Sequence, residues 1–285
     1  MTRRQLLASL GRHDGINFAL TNRIPRRWFT QLAGRISKSE NPVVRDVSLA
    51  LWRLFTDIDL KDAKTRDFKS LHDCFTRELK DGARPLDEDS DVLISPCDGI
   101  VVAAGTIEGN DLLQVKGSRY ALDDLLASSR TAAAFRNGHY VTLRLTSAMY
   151  HRFHAPAACR ASAVRYIPGD VWNVNPPALH RIPRLYCRNE RAVIELDLSS
   201  GNRVLLVPVA AILVAGLKLR FLSFDRSAEP RDYACAADFA KGDEMGWFEH
   251  GSTIIVISTA DFSLDASVQE GRLMRMGQAL MRKAR

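Results

Sequence analysis

Three polar clusters interrupt long runs of apolar residues, and their residue types could do chemistry. The first is His250-Gly251-Ser252-Thr253, which opens directly into Ile254-Ile255-Val256-Ile257. The second is "SPCDG", which carries Asp98. The third is "YHRFHAP", with His151 and His154 three residues apart. An Asp, a His and a Ser can form a nucleophile relay, in which the carboxylate orients the imidazole and the imidazole takes the hydroxyl proton. Each cluster also has a plainer reading. Gly-Ser is a turn entering a buried strand, and Asp-Gly is a common turn. His-x-x-His could ligate a metal, but no third ligand is evident and the His-Glu-x-x-His pattern is missing. Ser252 lacks the Gly-x-Ser-x-Gly elbow of the α/β-hydrolases, which disfavours an ordinary serine hydrolase built on Asp98, His154 and Ser252. Spacing leaves these readings open.

The elements that must position these residues change character along the chain. Residues 1–80 read as helical: Val44, Val47, Leu51, Leu54 and Phe55 recur at helical spacing, and Ser70 is a candidate N-cap for a short helix. "GARPLDEDSD" breaks the pattern and marks a boundary. From residue 81 to 285 short β-rich runs recur between turn residues, from "VLIS" and "YVTLRL" to "AVIELDL" and "STIIVIS". The expected fold is α+β, a mostly antiparallel β core domain preceded by a helical region. "ALDDLLASS" is expected to be a helix within it, and the basic tail "VQEGRLMRMGQALMRKAR" a helix that frays.

The chain of 285 residues carries a net charge of +7. Residues 1–38 hold eight Arg or Lys and one acid, Asp14. "NRIPRRWFTQLAGRI" sets Trp28, Leu32 and Ile36 among Arg26, Arg27 and Arg35, the pattern of a helix lying on an anionic bilayer. The alternative is a surface helix packed on its own domain. No stretch resembles a nucleic-acid module. No apolar run approaches the ~18 residues of a spanning helix, and the N-terminus lacks a secretory h-region. Five scattered cysteines without CxxC spacing argue against disulfides and zinc and for a reducing, cytoplasmic compartment.

Taken in order, "FTRELKDGARPLD", "SPCDGIVVAAGTI", "YHRFHAP", "VRYIPGD", "LYCRNERAVIEL", "KGDEMGWFEHGST" and "RMGQAL" resemble the phosphatidylserine decarboxylase family over nearly the full chain. The resemblance implies a proenzyme that cuts itself between Gly251 and Ser252 into residues 1–251 and 252–285. Ser252 would attack the Gly251 carbonyl, and elimination from the resulting ester would leave a pyruvoyl group as the only cofactor, with no metal. It implies that Asp98 and His154 serve Ser252 as orienter and base, and that His151 acts in decarboxylation. It also implies phosphatidylserine as substrate, an anionic phospholipid membrane as partner, a homodimer, and a peripheral position on the cytoplasmic face of the cell membrane. A non-processing membrane-surface homologue is the alternative. This chain departs from the family's usual pattern at His250, at Ala210, Ile212 and Ala215, and at Cys97. Its residues 218–240 match the family poorly.

Overall fold

The computed structural model describes residues 26–115, 118–212, 216–225, 228–249 and 252–284. The basic stretch before residue 26, His250, Gly251 and Ala215 lie outside the described residues, as do the side chains of Arg26, Arg27, Trp28, Phe29, Phe55 and Ser252.

The chain enters through helices α1 (Arg26–Ser37), α2 (Pro42–Phe55) and α3 (Leu71–Phe75). Local chemistry starts two of them. Asn41 accepts from the Val43 and Val44 amides at 3.0 and 3.3 Å, and Pro42 occupies the first helical turn, where no amide is needed. Ser70 accepts from the Asp73 amide at 3.1 Å. On α2, Leu49 and Trp52 pack toward a small cluster of Ala63, Phe68 and Cys74. Its other apolar residues turn outward: Val43 is 71%, Val47 53%, Leu51 52% and Leu54 45% exposed. Leu32 and Ile36 of α1 are exposed as well. Among the described residues no helix is long and apolar enough to cross a membrane.

The rest is mostly antiparallel sheet, and the fold is α+β. Its first part contains β1 (Val92–Ile94), β2 (Gly99–Thr106), β3 (Asp111–Val115), β4 (Ser118–Ala121), α4 (Leu122–Leu126), α5 (Ser129–Ala133), β5 (His139–Leu145), β6 (Arg152–His154) and β7 (Cys159–Ile167). Then come α6 (Pro176–Arg181), α7 (Leu185–Arg188), β8 (Arg191–Leu198), β9 (Arg203–Ala210), β10 (Leu217–Leu219), β11 (Arg231–Phe239) and β12 (Glu244–Phe248). The chain closes with β13 (Ser252–Ser258), β14 (Phe262–Leu264), β15 (Leu273–Met274) and β16 (Ala279–Lys283). The main sheet runs β11-β7-β8-β9-β13-β5-β2-β15. Smaller sheets run β1-β16-β14 and β10-β12-β6.

Strand β13 lies inside the main sheet, paired with β5 on one side and β9 on the other. Ile254 and Val256 pack with Leu143, Leu145 and Leu206 on one face. Ile255 and Ile257 pack with Tyr140, Leu205 and Val207 on the other. Burial on both faces is why the segment is continuously apolar rather than alternating. Polar Arg191, buried within the second layer, donates to the carbonyls of Leu125, Asp124, Cys187 and Asn189, and burial pushes it down to about 10.

The tail corrects one expectation. Residues 268–285 form no helix among those described; β15 pairs with β2, and β16 lies between β1 and β14. Gly271 and Gly277 take φ of 82° and 93°, which ends any helical run. The edge strands β1 and β14 offer the tail backbone partners that an exposed helix would forgo.

Ile255 has no exposed surface. Ile255→Ala is expected to cost about 2–5 kcal/mol by leaving a cavity between the two layers. Denaturant unfolding of the variant against the parent measures it.

Candidate active site

The turn that holds Asp98 is built by backbone bonds from two directions. The His154 amide donates to Pro96 O at 2.8 Å, joining the turn to β6. Ser95 exchanges bonds with the tail: its amide donates to Gln278 O at 2.7 Å, and its carbonyl accepts from the Gly277 amide at 3.1 Å. A side chain at Gly277 would meet Pro85 O at 2.3 Å, so only glycine allows this approach. The tail thereby brings the Met276 amide to Asp98 Oδ1 at 2.9 Å.

Arg84 supplies the charge opposite Asp98. Its Nε donates to Oδ1 at 2.9 Å and its Nη2 to Oδ2 at 2.6 Å, a two-point fork, while Nη1 reaches Asp62 at 2.8 Å. Burial pulls the guanidinium down, but the bonds to Asp98 and Asp62 outweigh it and hold Arg84 above its ordinary value.

His154 sits beside this pair without bonding to it. Its Nδ1 lies 2.8 Å from Gly242 O. A carbonyl only accepts, so Nδ1 carries the proton and Nε2 keeps a lone pair. That lone pair accepts from the Tyr150 hydroxyl at 2.9 Å. Burial drives His154 below the usual imidazole range, against a smaller opposing pull from the Gly242 carbonyl. The imidazole is therefore neutral at neutral pH. The ring is oriented by Gly242 rather than by Asp98, which contributes only through its charge.

His151 is fully buried and stacks on Phe75 of α3, with ring centroids 3.8 Å apart. Its carbonyl accepts from the Phe248 amide at 3.0 Å, which ties the histidine segment to β12 a few residues before Ser252 in the sequence. Ser252 is the first residue of β13, opposite Leu145 of β5 and Ala210 of β9. Just upstream, the buried Glu249 accepts from Lys38 Nζ at 2.8 Å, and His72 Nε2 lies 3.9 Å away. The residue after α1 is thus fastened to the end of the segment that follows β12.

A cavity of about 600 Å³ lies where β5 and β9 end and β13 begins. Ile36, Trp52 and Phe75 of the helices face Arg144, Leu145 and Ile212 across it. Ile212, one of the departures noted in the sequence, therefore faces the cavity, and Ala210 is buried beside Ser252. Cys97 has no exposed surface, and burial pushes its thiol well up, so it is not a nucleophile. All five cysteines are free thiols. Among the described residues no group of His, Cys, Asp and Glu side chains converges as a metal site.

The sequence family described as phosphatidylserine decarboxylase matches residues 71–282. The chain belongs to this family. It is 33% identical over 263 residues to the phosphatidylserine decarboxylase proenzyme of Psychrobacter arcticus, spanning 90% of this chain and 95% of that protein. It is 32% identical over 259 residues to the proenzyme of Francisella tularensis subsp. holarctica, spanning 87% and 90%. Membership in the phosphatidylserine decarboxylase family makes the chain a decarboxylase. The family match contains Asp98, His151, His154 and Ser252 but begins after α1 and α2. Arg84, Tyr150 and Gly242 were not singled out from sequence. Arg84 stands in the quoted "GARPL" segment and Tyr150 opens "YHRFHAP", but only folding shows which residues they meet.

A histidine held below its unfolded value binds its proton less tightly when folded. The stability it contributes is full above the unfolded value of about 6.5 and is lost as pH falls below it. Denaturation midpoints measured between about pH 7.5 and pH 5.5 are expected to fall on acidification, and His154→Gln to flatten that slope. His72 and His139, also lowered by burial, are expected to keep a part of it.

Proposed function

We propose that the chain is a proenzyme that cuts itself between Gly251 and Ser252 and then converts phosphatidylserine to phosphatidylethanolamine and CO₂ at an anionic membrane surface. The carrying observation is the position of Ser252: it opens the doubly paired strand β13 at the end of the sheet where the 600 Å³ cavity lies.

The self-processing reading takes its residue roles from the family's motifs. Ser252 Oγ attacks the Gly251 carbonyl carbon, and its proton goes to a base. Neutral His154 is that base, and its Nε2 lone pair takes the proton once the Tyr150 hydroxyl that donates to it gives way. The amide is exchanged for an ester, β-elimination across Ser252 releases residues 1–251 as an acid, and hydrolysis of the enamine tautomer expels ammonia. Asp98, clamped by Arg84, supports His154 through its negative charge, which favours the imidazolium formed during proton transfer.

A pyruvoyl group made from Ser252 fits this setting, because the ladder to Leu145 and Ala210 fixes the new chain end at the cavity. When formed, it supplies a carbonyl that condenses with the substrate amine and accepts the electron pair left by CO₂. His151, buried against Phe75, is suited to return a proton to that carbon. Leu145, Ile36 and Trp52 exclude water from the cavity.

Peripheral attachment on the cytoplasmic face is part of the same proposal. Val43, Val47, Leu51 and Leu54 form one exposed apolar stripe on α2, and Leu32 and Ile36 add to it from α1. Apolar area of this kind, beside a basic N-terminal segment, supports docking on anionic lipid. Residues of both helices also line the cavity, which suits a substrate arriving from the bilayer.

Intact mass spectrometry tests the processing. Two fragments, residues 1–251 and a blocked piece from 252 onward, are expected; Ser252→Ala is expected to remain whole and release no CO₂. A single uncut chain with Ser252 intact would leave the non-processing homologue, and an uncut chain that hydrolyses esters would leave the hydrolase. His154→Ala and Asp98→Asn are expected to slow cleavage, and normal cleavage in either removes that residue from the scheme. Sedimentation with anionic vesicles tests the surface. Val47→Asp with Leu51→Asp is expected to reduce the bound fraction several-fold, by roughly 1 kcal/mol or more.

A further inference from the structure

We infer that Arg144 is a specificity-determining residue that holds the phosphodiester of the lipid substrate. This inference rests on the phosphatidylserine reading proposed above and adds a role for a residue outside the cleavage machinery.

Arg144 is the next-to-last residue of β5, opposite Thr253 of β13, and it lines the 600 Å³ cavity. It is a cation one step along the ladder from Ser252. Among the described residues its guanidinium makes no hydrogen bond and no ion pair. Its surroundings are apolar or neutral. Leu145, Ile36 and Trp52 share the cavity wall, and the nearby Tyr186 is an uncharged phenol that burial keeps protonated. Burial pulls the Arg144 guanidinium down without removing its charge.

Elsewhere in this protein, buried or half-buried arginines have partners. Arg84 has Asp98 and Asp62, Arg152 has Glu244, and Arg191 has four backbone carbonyls. A guanidinium withdrawn from water without a partner is a cost to folding. Arg144 is half-buried, no described side chain offsets its share of that cost, and an anion entering the cavity would.

The substrate offers two anions, and the chemistry distinguishes them. An arginine fork on the carboxylate would stabilise the group that must leave as neutral CO₂. That interaction is strongest in the ground state, so it would raise the barrier. The phosphodiester keeps its charge throughout the reaction and lies only a few bonds from the reacting amine. Two of its oxygens match the planar guanidinium fork. Holding it anchors the headgroup next to position 252 without opposing loss of CO₂. Thr146 and Ser147, which follow in the same wall, offer hydroxyls to the remaining oxygens.

The product separates the two readings, because phosphatidylethanolamine retains the phosphodiester and lacks the carboxylate. Short-chain dihexanoyl phosphatidylethanolamine is titrated into the parent, Arg144→Gln and Arg144→Lys by calorimetry. Arg144→Gln is expected to weaken binding about tenfold or more, with Arg144→Lys in between. Decarboxylation of dihexanoyl phosphatidylserine by Arg144→Gln is expected to show a similar rise in KM with kcat within about twofold, the signature of uniform binding. Unchanged product affinity in Arg144→Gln overturns the inference, and a raised KM for phosphatidylserine beside it would assign the guanidinium to the carboxylate. A lowered kcat at unchanged KM also overturns it. So does an Arg144→Gln chain that is folded by its thermal transition yet stays uncut while the parent is cut. The binding arm needs no turnover. If the parent itself does not process, the catalytic reading fails while the phosphodiester site is still measured.

Discussion

Strand β13 is the constraint on which the rest of the molecule depends. Hydrogen-bonded to β5 and β9 and buried on both faces, it cannot shift register without moving every apolar side chain to the wrong layer. Its first residue is Ser252. A strand paired on both sides therefore begins at Ser252, and the ladder that holds the core also holds that position. Isoleucine and valine stabilise the strand, and by doing so they fix the geometry of the site.

Around that fixed point the polar groups are distributed by burial. Asp98 is enclosed but bound by Arg84 and the Met276 amide, so its carboxyl oxygens have partners inside the protein. His154 is equally enclosed, but its partners are a carbonyl and a phenol, and it is kept neutral. The tail contributes directly through Met276 and Gly277, so the C-terminal segment belongs to the site rather than decorating the surface.

The helices serve the site from the other side. Lys38 holds Glu249 just past the end of β12, while Ile36, Trp52 and Phe75 line the cavity over the strand ends. The outward apolar stripe on α2 and the inward wall of the cavity are two faces of one small layer. A contact made on the outer face is mechanically close to the chain leading into the Gly-Ser turn.

Much of this was legible from residue order alone. The helix starts at Asn41 and Ser70 and the antiparallel β character need only local propensity and pattern, whereas the roles given to Asp98, His151, His154 and Ser252 come from resemblance to the family. The tail was misread as helix because its basic, amphipathic composition is compatible with either state. Pairing with β2 and β1, both remote in sequence, and with the nearer β14 decided it. Arg84 with Asp98, Tyr150 and Gly242 with His154, and the solitary Arg144 in its cavity were likewise beyond sequence reasoning. A side chain's type and neighbours in order determine what it is able to do. Its partners, its burial and hence its protonation depend on segments that meet only when the chain has folded.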